Sequence, residues 1–251
     1  MKLVGIDLST DPNKTGVCTV DGYRTSADLC KGPDAEHIVR LLKYCGGADA
    51  IAIDVPFGWP KPFIEALTGY EIGVALERDR RQYLRRATDA WIIKTLPDHL
   101  RREAKPPNPM AVAADKLGAT AMVGTTLLNA LSGTFRLSPW ESGVSQAVME
   151  VYPAASLWAW GLPHKGFKGA GEDARNRRSE ILERLKLFFG LKVAVQDTKT
   201  LVRSDHCFDA LVAALTAREY TCSNTFDPPE CILNEILRIE GWIRVPNRAV
   251  Q

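Results

Sequence analysis

No two of the six cysteines, at positions 18, 30, 45, 207, 222 and 231, form a C-x-x-C pair. The spacing that marks zinc ribbons and fingers is therefore missing. Cysteines scattered in this way read as reduced thiols and core filling, which implies the cytoplasm. No apolar run approaches the ~20 residues a membrane-spanning helix needs. The run Met1 to Leu8 is too short for a signal peptide and is interrupted by Asp7. Charge of one sign is not in excess either. The formal net charge of +2 names no partner, so any nucleic-acid surface must come from uneven placement of charge. No Gly/Ser linker, charge block or internal repeat divides the chain. What is present, 45% apolar and 25% charged residues in 251, is the composition of a soluble globular protein. We read it as one domain over residues 1–251.

The order of elements predicts an α/β fold. KLVGID (Lys2 to Asp7) reads as a buried strand, followed by a polar turn containing Asp11-Pro12-Asn13. Thr15 to Val20 predicts a second strand, and Asp21-Gly22 a hairpin into a third near Tyr23 to Ala27. Asp34 to Tyr44 has the spacing of an amphipathic helix, and AIAIDV (Ala50 to Val55) that of another buried strand. This predicts a mixed sheet, antiparallel hairpin strands first and parallel strands after, with flanking helices. Residues 61 to 132 read mostly as helix, broken at Pro97 and at Pro106 to Pro109, with Met110 to Leu131 as a long buried helix. We expect a helical insertion at about 56–132, entered through the stiff loop PFGWP (Pro56 to Pro60). Further on come a strand at Ala147 to Tyr152 and a short helix at Ser156 to Trp160. A mobile glycine-rich loop follows at Phe167 to Arg175, then a helix at Ser179 to Phe189 and a short strand at Leu191 to Val195. Arg238 to Pro246 reads as an edge strand.

Acidic residues stand where this fold would face inward. In DHCFDALVAALTAR (Asp205 to Arg218), Phe208, Leu211, Val212 and Leu215 repeat on one helical face. Asp205 and Asp209 are four apart and share a side that runs on into that face. A buried carboxylate is costly without a cation, a hydrogen bond or a proton. Helix capping by Ser204 or Asp205 is the structural alternative, but Asp209 lies too far inside the helix to cap it. Asp7 ends VGID and Asp54 ends IAID. If these strands are parallel neighbours, the two carboxylates stand about 5 Å apart. One must then hold a proton, or a cation must sit between them. Hard oxygen ligands suit Mg²⁺ or Mn²⁺, and strand carboxyl ends are where α/β sheets place their sites. The alternatives are a turn with Ser9 and Thr10 for Asp7, and a bond into the Pro56–Gly58 loop for Asp54. Glu150 also ends a strand, as a fifth acidic group, a supporting partner or a surface strand end.

IAIDVPFGWP, RRATD (Arg85 to Asp89), EVYPAAS (Glu150 to Ser156), DHCFDALVAALTAR and EGWIRVP (Glu240 to Pro246) carry a resemblance. In this order the chain resembles an uncharacterised family described as predicted nucleases with an RNase H fold. The wider RNase H and Holliday-junction-resolvase superfamily places one Asp on strand one, an acid at the end of a later strand, and one or two acids on a final helix. That resemblance implies an RNase H-like fold with Asp7, Asp54, Asp205 and Asp209 as metal ligands and catalytic residues, joined by Glu150. It also implies Mg²⁺ or Mn²⁺ as cofactor and nucleic acid, DNA or RNA, as partner. His206 departs from the pattern, at a position where the family often carries a second acid.

Other groups carry two readings each. Arg78, Arg80, Arg81, Arg85 and Arg86, with Arg101, Arg102 and Lys105 beyond, track phosphates or form a solvated helix face diluted by Glu77 and Asp79. Arg175, Arg177 and Arg178 share that ambiguity. Trp158 and Trp160 stack on bases or pack in the core. His164 is an acid–base group or an ordinary loop residue. Three functions compete: a divalent-metal nuclease, an actin-like ATP-dependent phosphotransferase using GIDLSTDPNKTG as its phosphate loop, and a non-catalytic RNase H-like nucleic-acid-binding module.

Overall fold

The structure, a computed structural model, describes residues 1–68, 70–72, 80–112 and 115–249. Its strands are β1 (Lys2–Asp7), β2 (Gly16–Asp21), β3 (Arg24–Leu29), β4 (Ala50–Asp54), β5 (Arg136–Leu137), β6 (Ala147–Val151), β7 (Lys192–Val193) and β8 (Ile243–Arg244). They form one sheet in the order β5-β6-β4-β1-β2-β3-β7, with β8 beside β6. The pairs β1–β2 and β2–β3 are antiparallel, while β4 runs parallel to both β1 and β6. The expected α/β architecture, hairpin strands followed by parallel strands, is therefore present. Asp7 stands directly opposite Asp54 in the β1–β4 register.

Helices follow on both faces: α1 (His37–Cys45), α2 (Lys61–Leu67), α3 (Arg80–Leu84), α4 (Ala87–Lys94), α5 (Leu96–Leu100), α6 (Asp115–Leu131), α7 (Pro153–Trp160), α8 (Glu172–Phe189), α9 (Val195–Arg203), α10 (Asp205–Thr221) and α11 (Asn234–Glu240). Strand alternation sorts the core into two layers. Leu3, Ala50, Ala52, Met149 and Val151 face one way, toward α7, α8 and α10. Val4, Ile6, Ile51, Ile53 and Val148 face the other, toward α1 and α6. By this alternation Asp7 and Asp54 belong to the α10 face, whereas Glu150, paired with Ile53, belongs to the opposite one.

Helix α10 lies against β1, β2 and β4, and its residues from Cys207 to Ala217 are buried all round. Such close approach needs small groups at the contact. A Cβ on Gly5 would overlap the Ala210 carbonyl and the Ala214 amide, and one on Gly16 would overlap the His206 carbonyl. Glycine at these two strand positions lets the helix backbone settle onto the sheet.

Several expected boundaries move. Pro153 begins α7 at its first turn rather than merely ending β6, because a missing N–H costs nothing there. Helix α8 starts at Glu172, seven residues before the expected Ser179, so Arg175, Arg177 and Arg178 are helical. Val195 opens α9 instead of closing a strand. Arg238 to Glu240 lies in α11, which leaves only Ile243–Arg244 as strand. The expected Met110–Leu131 helix is seen over Asp115–Leu131, with residues 113 and 114 outside the described set. It is amphipathic rather than buried: Leu127 and Leu131 face the core while Met122 is exposed. Among the described residues, no helix is long and apolar enough to cross a membrane.

Candidate metal centre

Three of the five sequence-singled acids converge. Asp7 and Asp54 come from adjacent strand ends, and α10 lowers Asp209 between them. One carboxylate oxygen from each lies within 4.8 Å of the others. The Asp209 side chain is completely buried. One of its oxygens takes an ion pair from the Lys168 ammonium, which stands where a cation would. The other, Oδ1, has no hydrogen-bond partner. A buried charged oxygen left alone is expensive. The donor set is all carboxylate oxygen, the chemistry of a hard divalent cation, so these residues fit Mg²⁺ or Mn²⁺.

Electrostatics around the cluster agree with the geometry. Burial and the facing Asp7 charge push the Asp54 pKa up to about 8, against the opposing pull of Lys168. The His206 Nδ1–H donates to Asp7 Oδ2 at 2.6 Å. That hydrogen bond, backed by the Asp7 and Asp205 charges and opposed by burial, raises the His206 pKa. Both shifts favour the protonated form, the response expected of gathered carboxylates that repel one another's charge.

Asp205 takes a different place. It stands outside the three-carboxylate cluster, and its Oδ2 accepts the Gly169 N–H at 2.7 Å. Burial pushes its pKa up, but the Gly169 N–H, His206, Lys168 and Arg178 together hold it below the ordinary value. The cap of α10 is Ser204, whose hydroxyl accepts the Cys207 N–H. Glu150 is buried on the other sheet face, gripped by Arg86 through both terminal guanidinium nitrogens, at 2.9 and 2.7 Å, and by the Phe57 N–H at 2.9 Å.

A cleft of about 570 Å³ opens over these strand ends. Asp7, Asp54, Tyr152, His164, Lys165 and Lys168 are among the residues lining it. The His164 Nε2 is buried without a partner, and burial, then the neighbouring Lys165 charge, lowers its pKa.

The arginine and tryptophan readings separate clearly. Arg86 is 3% exposed, and its guanidinium is spent on Asp89, Glu150 and the Glu240 carbonyl. Arg85 donates to the Pro109 carbonyl, and Arg102 donates to the Ala159 carbonyl and lies over the Trp158 ring. Arg178 is fully buried, whereas Arg177 pairs with Glu180 at the surface. Arg78, Glu77 and Asp79 lie outside the described residues. Trp158 and Trp160 are 2% and 0% exposed, which excludes base stacking and makes them core. In the GIDLSTDPNKTG turn the polar groups bond one another: Thr15 Oγ1 accepts from the Ser9 N–H, Ser9 Oγ from the Asp11 N–H, and Asp11 Oδ1 from the Asn13 N–H.

Lys168 was not legible as a site residue. Its only sequence signal is a lone cation in the glycine-rich GFKGAG, and its partner Asp209 is 41 residues away.

Fold and site together define an α/β protein with a three-carboxylate cluster at the carboxyl ends of a mixed sheet. The chain belongs to the family described as "Protein of unknown function (DUF429)", whose model matches residues 5–230. Comparison with curated proteins and comparison with solved structures each found no match.

Proposed function

We propose that this protein is a divalent-metal-dependent nuclease of RNase H-like fold that hydrolyses phosphodiester bonds in nucleic acid, with Mg²⁺ or Mn²⁺ held by Asp7, Asp54 and Asp209. The observation that carries the reading is Asp209: a fully buried carboxyl group with one oxygen, Oδ1, unpartnered, in a cluster with two other carboxylates. Further support comes from the order of antiparallel and parallel strands with the third acid on a late helix, which is the pattern the sequence resemblance leads one to expect.

When bound, a divalent ion supplies Lewis-acid polarisation of the phosphodiester and acidifies water. The chain's own residues prepare the site for it. His206 fixes one oxygen of Asp7 and so sets that carboxylate's orientation beforehand. The strand register fixes Asp54 opposite it. Lys168 and Lys165 place positive charge at the cleft mouth, where an anionic backbone would lie.

The test is a cleavage screen with Mg²⁺ and Mn²⁺ over single- and double-stranded DNA, RNA, hybrids and junctions, with nucleoside triphosphates included. The expected result is metal-dependent cleavage of at least one nucleic acid, reduced to background by Asp209→Asn. Mn²⁺ binding without cleavage of any substrate would defeat the hydrolytic reading and favour a binding module. Turnover of a triphosphate alone would favour a phosphotransferase.

A further inference from the structure

The loop that carries Lys168 is pinned on both sides of that residue. Phe167 is 1% exposed and packs its ring 5.7 Å from that of Phe208 on α10. Gly169 gives its N–H to Asp205 Oδ2 at 2.7 Å. Arg178, fully buried on α8, donates to the carbonyls of Phe167 and Gly169 and to that of Val202. The backbone around Lys168 is therefore held by a carboxylate, a guanidinium and an aromatic contact. The Lys168 side chain is the opposite case: 57% exposed, it lines the cleft and reaches buried Asp209. A fixed backbone with one long, half-exposed cationic side chain is a swinging arm with a defined pivot.

Resting on the metal-dependent nuclease reading, we propose that Lys168 is the residue that binds the substrate's phosphate, and that Asp205 is the positioning residue that holds its loop. Asp209 keeps the ammonium while no metal is present. With a divalent ion held by the three carboxylates, Asp209 would no longer draw the ammonium. Lys168 then turns to the nearest anion in the cleft, a backbone phosphate. Asp205 acts through the Gly169 N–H and does not touch metal or substrate.

Two measurements test this on the full chain: Mn²⁺ binding by titration calorimetry, and binding of short labelled DNA and RNA oligonucleotides in Ca²⁺ by fluorescence anisotropy. Lys168→Met should bind Mn²⁺ as tightly as the wild type or more tightly, since a competing cation is gone. It should bind oligonucleotide about tenfold more weakly, the size of one lost charge-assisted contact, and Lys168→Arg should restore most of that loss. Asp205→Ala should weaken oligonucleotide binding similarly. Asp205→Asn keeps an acceptor for the Gly169 N–H and should change neither measurement by more than about twofold. Wild-type oligonucleotide affinity in Lys168→Met would reduce the ammonium to a counter-ion of Asp209 and overturn the proposal. Loss of Mn²⁺ binding in Asp205→Asn would make Asp205 a ligand and overturn its positioning role. If the wild type binds Mn²⁺ but no oligonucleotide, both the phosphate arm and the nucleic-acid reading fail while the metal site stands.

Discussion

The two faces of the sheet each bury a group of acids, and they solve the problem differently. On the α1/α6 face, Glu150 and Asp89 share the Arg86 guanidinium, whose nitrogens also reach the Glu240 carbonyl. Both Glu240 carboxylate oxygens accept backbone N–H groups, from Lys61 and Ala87. Every donor on Arg86 is used, and this group ties α2, α4, α11 and the PFGWP loop to β6. On the α10 face, Asp7, Asp54 and Asp209 share one exposed lysine and one histidine, and a buried oxygen is left over. Buried acids therefore do not by themselves mark a site. Arg86, Asp89 and Glu150 line the same cleft as Asp7 and Asp54, so the mark is the unmet oxygen of Asp209 and not the opening.

The largest expected effect breaks the satisfied side. Arg86→Met removes the cation and leaves Glu150 and Asp89 buried with no counter-charge. Breaking a buried pair from one side costs about 3–5 kcal/mol, which for a chain of this size lowers the melting temperature by roughly 10 °C. The loss should be the same with and without Mn²⁺. A loss that Mn²⁺ rescues would mean that the two faces share one ligand-dependent site and are not separate.

On the other face Asp209→Asn should behave in the reverse sense. Without metal, removing one of three crowded carboxylates should leave stability within about 1 kcal/mol of the wild type or raise it. With Mn²⁺ at about a hundredfold over its dissociation constant, the wild type should gain about 2.7 kcal/mol and the variant essentially nothing. Thermal melts of both proteins with and without Mn²⁺ read this directly. Equal destabilisation of the variant in both conditions would make Asp209 a structural acid like Glu150.

The difference between the faces was only half legible in the sequence. Asp7 and Asp54 could be placed because VGID and IAID are near-continuous apolar strands with matched endings, and a parallel register then puts the two acids side by side. Asp209 followed from helical spacing, since it lies inside a buried stripe and beyond capping range. Asp205 has the same spacing signal, yet it turns to the Gly169 N–H, because a residue in the first turn can reach a neighbouring loop. The Arg86–Glu150 pair was hidden: its partners are 64 residues apart, and Arg86 sits in a run that reads as a solvated basic face. Arg178 is buried within an equally polar stretch, EDARNRRSE, for the same reason. Helix α9 escaped because VQDTKTLVR has only three apolar residues, Val195, Leu201 and Val202, and buries only Leu201. Local pattern reports which face an apolar residue, or an acid within an apolar stripe, takes. It does not report which distant group satisfies it there.

The remaining comparison is a pH dependence of the α10 face. The Asp54 pKa lies near 8 in the fold against an ordinary value of 3.8, so between those limits the folded state holds a proton that the unfolded chain releases. The stability this contributes is complete below about pH 4 and is lost as pH rises toward about 8. His206, also raised, adds a loss of the same sign above its ordinary value of 6.5. Asp205 is lowered, so its contribution changes only below 3.8, outside this window. Glu150 and Glu240 are raised by burial and slope in the same direction as Asp54, which means that the wild-type melt alone does not separate the faces. Two comparisons do. Asp54→Asn cannot ionise, so its metal-free melting temperature should fall less between pH 4 and pH 8 than that of the wild type. Mn²⁺ competes with the Asp54 proton, so the wild-type Mn²⁺-induced shift should grow across that window and be lost in Asp54→Asn. An unchanged slope in Asp54→Asn would assign the pH dependence to His206 and the Arg86 face, and an Mn²⁺ shift that ignores pH would remove Asp54 from the metal centre.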